Sequence, residues 1–141
     1  MISPELLQRY SFFASLSDKH LNVIAMIGEE KSFPKDSILF KETTAANNLM
    51  LLLEGAVDLF YSGRGEESVS KAPVCSILPG AIFGVSSLIE PYQYTASARA
   101  TMPVKVVDIN GSALRMMSEK DQALSHMLMQ NVAAAVLARL H

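Results

Sequence analysis

Seven short β-rich runs between residues 33 and 109 constrain the fold of this chain more than any other feature. They cover residues 37–40, 49–53, 56–61, 68–71, 74–78, 94–100 and 104–109. Turn signals separate them, namely Glu54-Gly55, the loop at 62–67, Pro79-Gly80 and Asn110-Gly111. Short strands punctuated by Gly and Pro turns are typical of a β-sandwich or barrel. The sequence therefore predicts a mainly β fold.

Helical patterns flank these strands on both sides. Ser3 and Ser17 suit N-cap positions, and Pro4 suits the first position of a helix. After Gly111 the spacing becomes helical again, and Asp121 can cap a long final helix. A chain of 141 residues has room for one well-buried core. We therefore predict a single domain over 1–141, with N-terminal helices over 1–32, a jelly roll over 33–109 and C-terminal helices over 112–141.

The charge balance argues against several classes of partner. The chain has 12 Lys and Arg against 14 Asp and Glu, and no basic run, so its surface has no charge-based attraction for nucleic acid. The N-terminus lacks the features of a secretory signal, and the longest apolar run, Leu49 to Leu53, is far shorter than a membrane span. We expect a soluble cytoplasmic protein with no membrane contact and no direct nucleic-acid binding. Cys75 is alone, so no internal disulfide can form.

Histidine and serine patterns argue against catalysis. His20, His126 and His141 lie in different elements, and residues 33–109 contain no histidine. A metal enzyme built on a jelly roll needs histidine ligands on its strands. No Gly-x-Ser-x-Gly elbow is present either. We therefore expect no catalytic residue, no metal and no other cofactor.

The stretch FGVSSLIEPYQYTASARA, residues 83–100, has the backbone pattern of an anion site. Gly84 allows a ligand to approach the main chain closely. Ser86 and Ser87 open a short helical turn, where backbone N–H groups can point at an anion. Thr95 and Ser97 add hydroxyls on the next strand. The pattern predicts a phosphate-type cradle.

The order of these parts resembles the cyclic nucleotide-binding domain of the catabolite-activator-like (Crp/Fnr) regulators over essentially the whole chain. The segment LPGAIFG is similar to the approach to that family's phosphate-binding cassette, with Gly80, Phe83 and Gly84 in the expected places. Gly55 matches the customary hairpin glycine. The resemblance implies a jelly roll that ends in a long dimerising helix and acts as a ligand-sensing regulatory domain.

Two positions depart from the family's pattern. Val85 stands where the pattern has a Glu for the ribose hydroxyl, and Tyr94 stands where it has an Arg for the cyclic phosphate. Thr95 matches, and Arg139 falls near the position that faces the base in some members. Arg99, five residues after Tyr94, lies on the opposite face of a regular strand. Each lost charge-assisted hydrogen bond is worth about 1.5–3 kcal/mol, so we expect cyclic nucleotides to bind about 10²-fold more weakly, or worse.

The candidate ligand-binding residues are Gly84, Val85, Ser86, Ser87, Tyr94, Thr95 and Arg139. With Val85 and Tyr94, we expect the pocket to prefer a less charged ligand, such as an aromatic or acidic metabolite. The alternative is an interaction or scaffold protein with a vestigial pocket.

The long helix has an apolar stripe wider than one packing partner needs. This predicts a homodimer through Leu128, Val132, Val136 and Leu137. The resemblance also implies a DNA-binding segment after this helix, and a chain that ends at His141 is expected to lack one.

Overall fold

The computed structural model describes residues 1–61 and 73–139. The predicted strand at 68–71, the loop at 62–67 and the last two residues lie outside this range. The helices are α1 (Pro4–Gln8), α2 (Ser11–Ala14), α3 (Asp18–Met26), α4 (Gly111–Glu119) and α5 (Gln122–Arg139). The strands are β1 (Gly28–Phe33), β2 (Ile38–Phe40), β3 (Asn48–Glu54), β4 (Val57–Phe60), β5 (Cys75–Ile77), β6 (Ile82–Phe83), β7 (Ser97–Ala100) and β8 (Val104–Asn110).

The described strands form two four-stranded antiparallel sheets. One sheet has the order β1-β8-β3-β6, and the other has the order β2-β7-β4-β5. Together with the flanking helices they confirm the predicted jelly roll. Because β3 and β8 are far apart in the chain yet adjacent in the sheet, the fold brings distant segments of sequence together around the candidate site.

The predicted helix caps are present. Ser3 Oγ accepts a hydrogen bond from Leu6 N at 3.3 Å, and Ser17 Oγ accepts one from His20 N at 3.2 Å. Asp121 Oδ1 accepts one from Leu124 N at 3.1 Å at the start of α5. Each cap satisfies an N–H group that has no partner within its own helix.

The jelly roll begins earlier than the predicted boundary at residue 33. Helix α3 ends at Met26, and β1 pairs with β8 from Gly28 opposite Ile109 to Phe33 opposite Val104. The sequence of β1, GEEKSF, is polar because most of its side chains are exposed at the edge of the sheet. Such an edge strand lacks the alternation of apolar and polar residues that marks a half-buried strand.

Strand β3 lies between two hydrophobic layers. Leu49 and Leu51 face the layer between the first sheet and the helices, whereas Met50 and Leu52 face the layer between the two sheets. Successive side chains of a strand point to opposite faces, so burial on both sides explains why this run is apolar throughout.

Helix α5 closes the helical layer. Leu124, Leu128 and Val132 pack into the core with residues of α1, α2 and α3. Asn131 Nδ2 donates to Phe12 O at 2.7 Å, which fixes α5 against α2. None of the described helices is both long enough and apolar enough to span a membrane.

Candidate functional site

Gly84 positions the turn that opens the candidate site. Its φ is 76°, in the left-handed region, and a short 3-10 turn follows at Val85–Leu88. A Cβ at this position would lie 2.7 Å from Asn48 O. Both the dihedral angle and the close approach of the two backbone segments therefore require glycine here.

Ser87 does not offer its polar groups to a ligand, contrary to the sequence prediction. It is fully buried, and its hydroxyl donates to Gly84 O at 2.8 Å. Its backbone N–H also donates to Gly84 O, at 3.1 Å. Ser87 stabilises the turn from within. Val85 and Ser86 are half-buried and remain at the surface of the turn.

Tyr94 fills the position where the family pattern has an arginine. Its ring stacks on Phe40 with centroids 3.8 Å apart and planes 10° from parallel. Its hydroxyl donates to Asn48 O and accepts from Asn48 N, both at 3.1 Å. The side chain is 5% exposed, and this burial raises the pKa of the phenol. The hydroxyl therefore has both a donor and an acceptor inside the protein.

We call the group Gly84, Val85, Ser86, Ser87, Tyr94 and Thr95 the cassette. The structure brings these residues together, since Gly84 and Tyr94 both contact Asn48. Thr95 is exposed beside Tyr94. Three cavities lined by the described residues, of about 620, 370 and 330 Å³, include no residue of the cassette. A Cβ at Gly84 would lie 3.6 Å from the Phe40 ring, on which Tyr94 stacks.

Arg115 is a cation beside the cassette that the sequence did not reveal. From α4 its guanidinium donates to Ser87 O and, at 3.4 Å, to Ala46 O. It also lies 4.2 Å from the centroid of the Tyr92 ring. Nothing in its local sequence marks this role, because its three partners come from other parts of the chain.

Arg99 lies on the outer face of its sheet, as expected. Its neighbours Ala98 and Ala100 belong to the layer between the sheets, so Arg99 points the other way. Its guanidinium lies 5.6 Å from the centroid of the Phe60 ring. It therefore does not replace the missing cation of the cassette.

A polar chain supports Asn48 behind Tyr94. Asn48 Nδ2 donates to Asp108 Oδ1 at 2.7 Å, and Lys31 Nζ donates to Asp108 Oδ2 at 2.8 Å. Asp108 is only 7% exposed. The hydrogen bond to Asp108 raises the pKa of Lys31. The backbone of Asn48, which hydrogen-bonds to Tyr94, is therefore held in place through the Asn48 side chain.

The structure places Arg139 away from the cassette. It lines the cavity of about 620 Å³ between residues 9–12, 78–82 and the 131–139 segment of α5. We call this cavity the groove. The match of Arg139 to a base-facing position in the family does not bring it to Gly84 or Tyr94. The groove could not be predicted from sequence, because three remote segments form it.

The four predicted dimer residues separate into two pairs. Leu128 and Val132 are 0% and 6% exposed and pack into the chain's own core, so they are not available to a partner. Val136 and Leu137 are 39% and 56% exposed. Of the four, Val136 and Leu137 therefore remain exposed at the surface of α5.

A hydrogen bond between His20 and Asp121 joins α3 to the start of α5. The distance from His20 Nε2 to Asp121 Oδ2 is 2.8 Å. The hydrogen bond from His20 lowers the pKa of Asp121. Among the described residues, no group of three His, Cys, Asp or Glu side chains is arranged to hold a metal ion.

Comparison with solved structures shows a similar chain of equal length. A protein from Geobacter metallireducens GS-15, described as cyclic nucleotide-binding, is 66% identical over 100% of both chains, with a TM-score of 0.92. The N-terminal domain of a transcriptional regulator from Streptomyces coelicolor A3(2) is 22% identical, with a TM-score of 0.72 over 94% of this chain and 93% of that one.

More distant structures share the fold. A protein from Silicibacter pomeroyi DSS-3, described as a cAMP-binding regulatory protein, is 18% identical with a TM-score of 0.78. The alignment covers 96% of this chain and 61% of that chain. A search of curated protein sequences gives no match. The model of the cyclic nucleotide-binding domain matches residues 30–121, more than half of this sequence. With the jelly roll and the turn at Gly84, this shows that the chain belongs to the cyclic nucleotide-binding domain family.

Proposed function

We propose that this chain is a non-catalytic regulatory domain whose cassette is closed to cyclic nucleotides by Tyr94. The observation on which this rests is the double hydrogen bond of the Tyr94 hydroxyl with the Asn48 peptide, together with the stack on Phe40. A cyclic phosphate would have to displace a buried ring that is already fully hydrogen-bonded.

The cost of that displacement supports the proposal. Leaving a buried donor or acceptor unpaired costs about 1–3 kcal/mol, and the peptide of Asn48 would lose its two bonds to Tyr94. The displaced ring would also lose its stacking with Phe40, worth about 0.5–1.5 kcal/mol. Val85 supplies no acceptor for a ribose hydroxyl. Binding must overcome these costs without the usual cation.

Calorimetric titration with cyclic AMP and cyclic GMP tests the proposal. We expect no binding at micromolar concentration by the natural sequence. The double variant Val85→Glu with Tyr94→Arg removes the ring and supplies both family partners, so its affinity for cyclic AMP should rise by about 10²-fold or more.

A matched control places the same two charges outside the cassette. Ile89 is 44% exposed and Gln93 is exposed, so the variant Ile89→Glu with Gln93→Arg changes the charge near the turn without opening it. This control should not gain affinity. A dissociation constant in the low micromolar range for the natural sequence would refute the closed cassette.

A second candidate function, a dimeric interaction protein, is favoured by the surface of α5. Met129, Val136 and Leu137 are exposed large apolar residues of this helix. At about 100° per residue, Met129, Ala133 and Leu137 form one row of α5 on the side away from the buried Leu124, Leu128 and Val132. Val136 lies beside this row, next to Val132. An apolar flank of this kind suits pairing with a second copy.

Light scattering at micromolar concentration tests this second candidate. We expect a dimer, and the variant Leu137→Glu should shift the population towards monomer because it places a charge in the pairing flank. Met102→Glu, at an exposed apolar position between β7 and β8, should leave the dimer intact. A monomer at all concentrations would exclude dimerisation through α5.

A further inference from the structure

The groove is concave, largely apolar and of ligand size. Its volume of about 620 Å³ falls within the range of small-molecule sites, roughly 300–1,000 Å³. Ala134, Ala135 and Ala138 line it from α5, and the segment 78–82, which leads into β6, also lines it. Small side chains on the helix leave this space open.

The charged residues that line the groove are both positive. Arg9 and Arg139 line it, together with the hydroxyl-bearing residues Tyr10 and Ser11, and its lining includes no Asp or Glu. Within residues 1–61 and 73–139, the guanidinium of neither arginine forms an ion pair or a hydrogen bond. Two cations that have no carboxylate partner among the described residues therefore border an apolar cavity in a chain whose net charge is −2.

Keeping the Arg139 guanidinium partly buried costs stability when no counter-charge from the described residues lies beside it. Burial lowers the pKa of its guanidinium, and Cys75 nearby opposes this shift. A partly desolvated cation interacts strongly with an anion, because the local dielectric is lower than that of water. A planar guanidinium also matches the two oxygens of a carboxylate.

From these observations we infer that the groove binds a small amphipathic carboxylate, with its acid group at Arg9 and Arg139 and its apolar body along Ala134 and Ala138. This inference goes beyond the proposed function, because it concerns a site that shares no residue with the cassette. It holds whether or not the cassette admits a cyclic nucleotide.

A second copy of α5 fits the groove less well than a carboxylate. Helix α5 contains no Asp or Glu, so pairing of two such helices would leave Arg139 without a counter-charge. The helical geometry also separates the two surfaces. At about 100° per residue, Asn131, Ala134 and Ala138 fall on the side opposite Met129, Ala133 and Val136, and Leu137 lies between these two surfaces.

Titration with 3-phenylpropionate and octanoate, followed by amide NMR shifts and calorimetry, tests the inference. We expect saturable binding, with shifts concentrated at residues 9–12, 78–82 and 131–139. The corresponding neutral amides should bind about tenfold more weakly or worse, because they lose charge-assisted hydrogen bonds. Arg9→Gln with Arg139→Gln should weaken binding of the carboxylates by a similar factor, and Ala138→Phe should weaken it by filling the space.

The matched control removes two positive charges elsewhere. Lys19 and Lys120 are exposed and do not line the groove, so Lys19→Gln with Lys120→Gln should leave affinity unchanged. Equal binding of acids and amides, unchanged affinity in the double arginine variant, or no binding at all would overturn the inference. A dimer in the light-scattering experiment that Ala138→Phe dissociates would also overturn it, since the groove would then be an interface between copies.

Discussion

The cassette and the groove lie in one small domain and differ in how their polar groups are satisfied. In the cassette, the hydroxyls of Tyr94 and Ser87 both hydrogen-bond to backbone atoms of the chain. In the groove, Arg9 and Arg139 find no acidic partner within the described part of the chain. Buried polar groups that are fully bonded stabilise a fold, whereas cations held without partners cost stability.

This difference teaches that an inherited site and a usable site need not coincide. The cassette has a tight turn at Gly84, and the buried Tyr94 side chain beside it makes both of its hydrogen bonds to the chain itself. The groove has no recognisable motif, yet it combines volume with positive charge. Mutations in the cassette should therefore lower the free energy of unfolding, whereas removal of a groove cation should leave it unchanged or raise it.

The largest effect is expected from Tyr94→Ala. The variant loses a buried aromatic side chain and leaves the Asn48 peptide without its two hydrogen bonds, so the free energy of unfolding should fall by about 3–5 kcal/mol. Urea denaturation followed by circular dichroism measures this change. Tyr61→Ala is the matched control, because Tyr61 is 60% exposed and its loss should cost less than about 0.5 kcal/mol. Equal effects of the two variants would contradict the idea of a filled cassette.

Gly84→Ala should have the next largest effect, about 2–3 kcal/mol. The new Cβ would lie 2.7 Å from Asn48 O, and alanine is strained at a φ of 76°. Gly80→Ala separates these two causes, since Gly80 has a φ of 96° but a Cβ there would lie 3.7 Å from the Tyr10 ring, at ordinary contact distance. It should lose only about 1 kcal/mol. If thermal melts show similar losses of stability for the two variants, the two backbone segments at Gly84 can move apart.

The support behind the cassette predicts alkaline sensitivity. Folding raises the pKa of both Lys31 and Tyr94, so their contribution is fully present below their unfolded pKa values, about 10.4 and 10, and is lost as pH rises through the folded values. Unfolding free energy measured from pH 8 to pH 11.5 should therefore fall above about pH 10. The decline should be shallower in Lys31→Met and in Tyr94→Phe. At pH 7, Lys31→Met should cost about 1 kcal/mol through its lost hydrogen bond to Asp108.

The smallest effect is expected in the groove. Arg139→Gln removes a partly desolvated cation that has no ion-pair partner in the described structure, so the free energy of unfolding should change by less than about 0.5 kcal/mol or increase slightly. Chemical denaturation measures this difference. A loss above about 1 kcal/mol would mean that Arg139 stabilises the domain itself, and the contrast with Tyr94 would disappear.

The sequence predicted features that depend on near neighbours in the chain. The caps at Ser3, Ser17 and Asp121 could be predicted because each requires only a side-chain oxygen and an N–H group within three residues. The order of strands followed from the turn signals. Strand β1 was missed because an exposed edge strand is polar. In addition, the apolar spacing of α3 extends to Ile27, one residue beyond the end of the helix.

The state of the cassette could not be predicted, because it depends on contacts between distant residues. From sequence, Tyr94 stands where the family's pattern has a cation. Whether its ring leaves the pocket or fills it depends on its contacts with Phe40 and with the backbone of Asn48. Likewise, the excess apolar width of α5 was visible, but its division into buried Leu128 and exposed Leu137 depends on where α2 and α3 pack.

Arg115 has a mechanical consequence for the whole domain. One guanidinium binds carbonyls on two separate segments, at Ala46 and Ser87, while its own backbone belongs to α4. The guanidinium therefore connects α4 to the turn after Gly84 and to the segment before β3, and α5 follows α4 directly after Asp121.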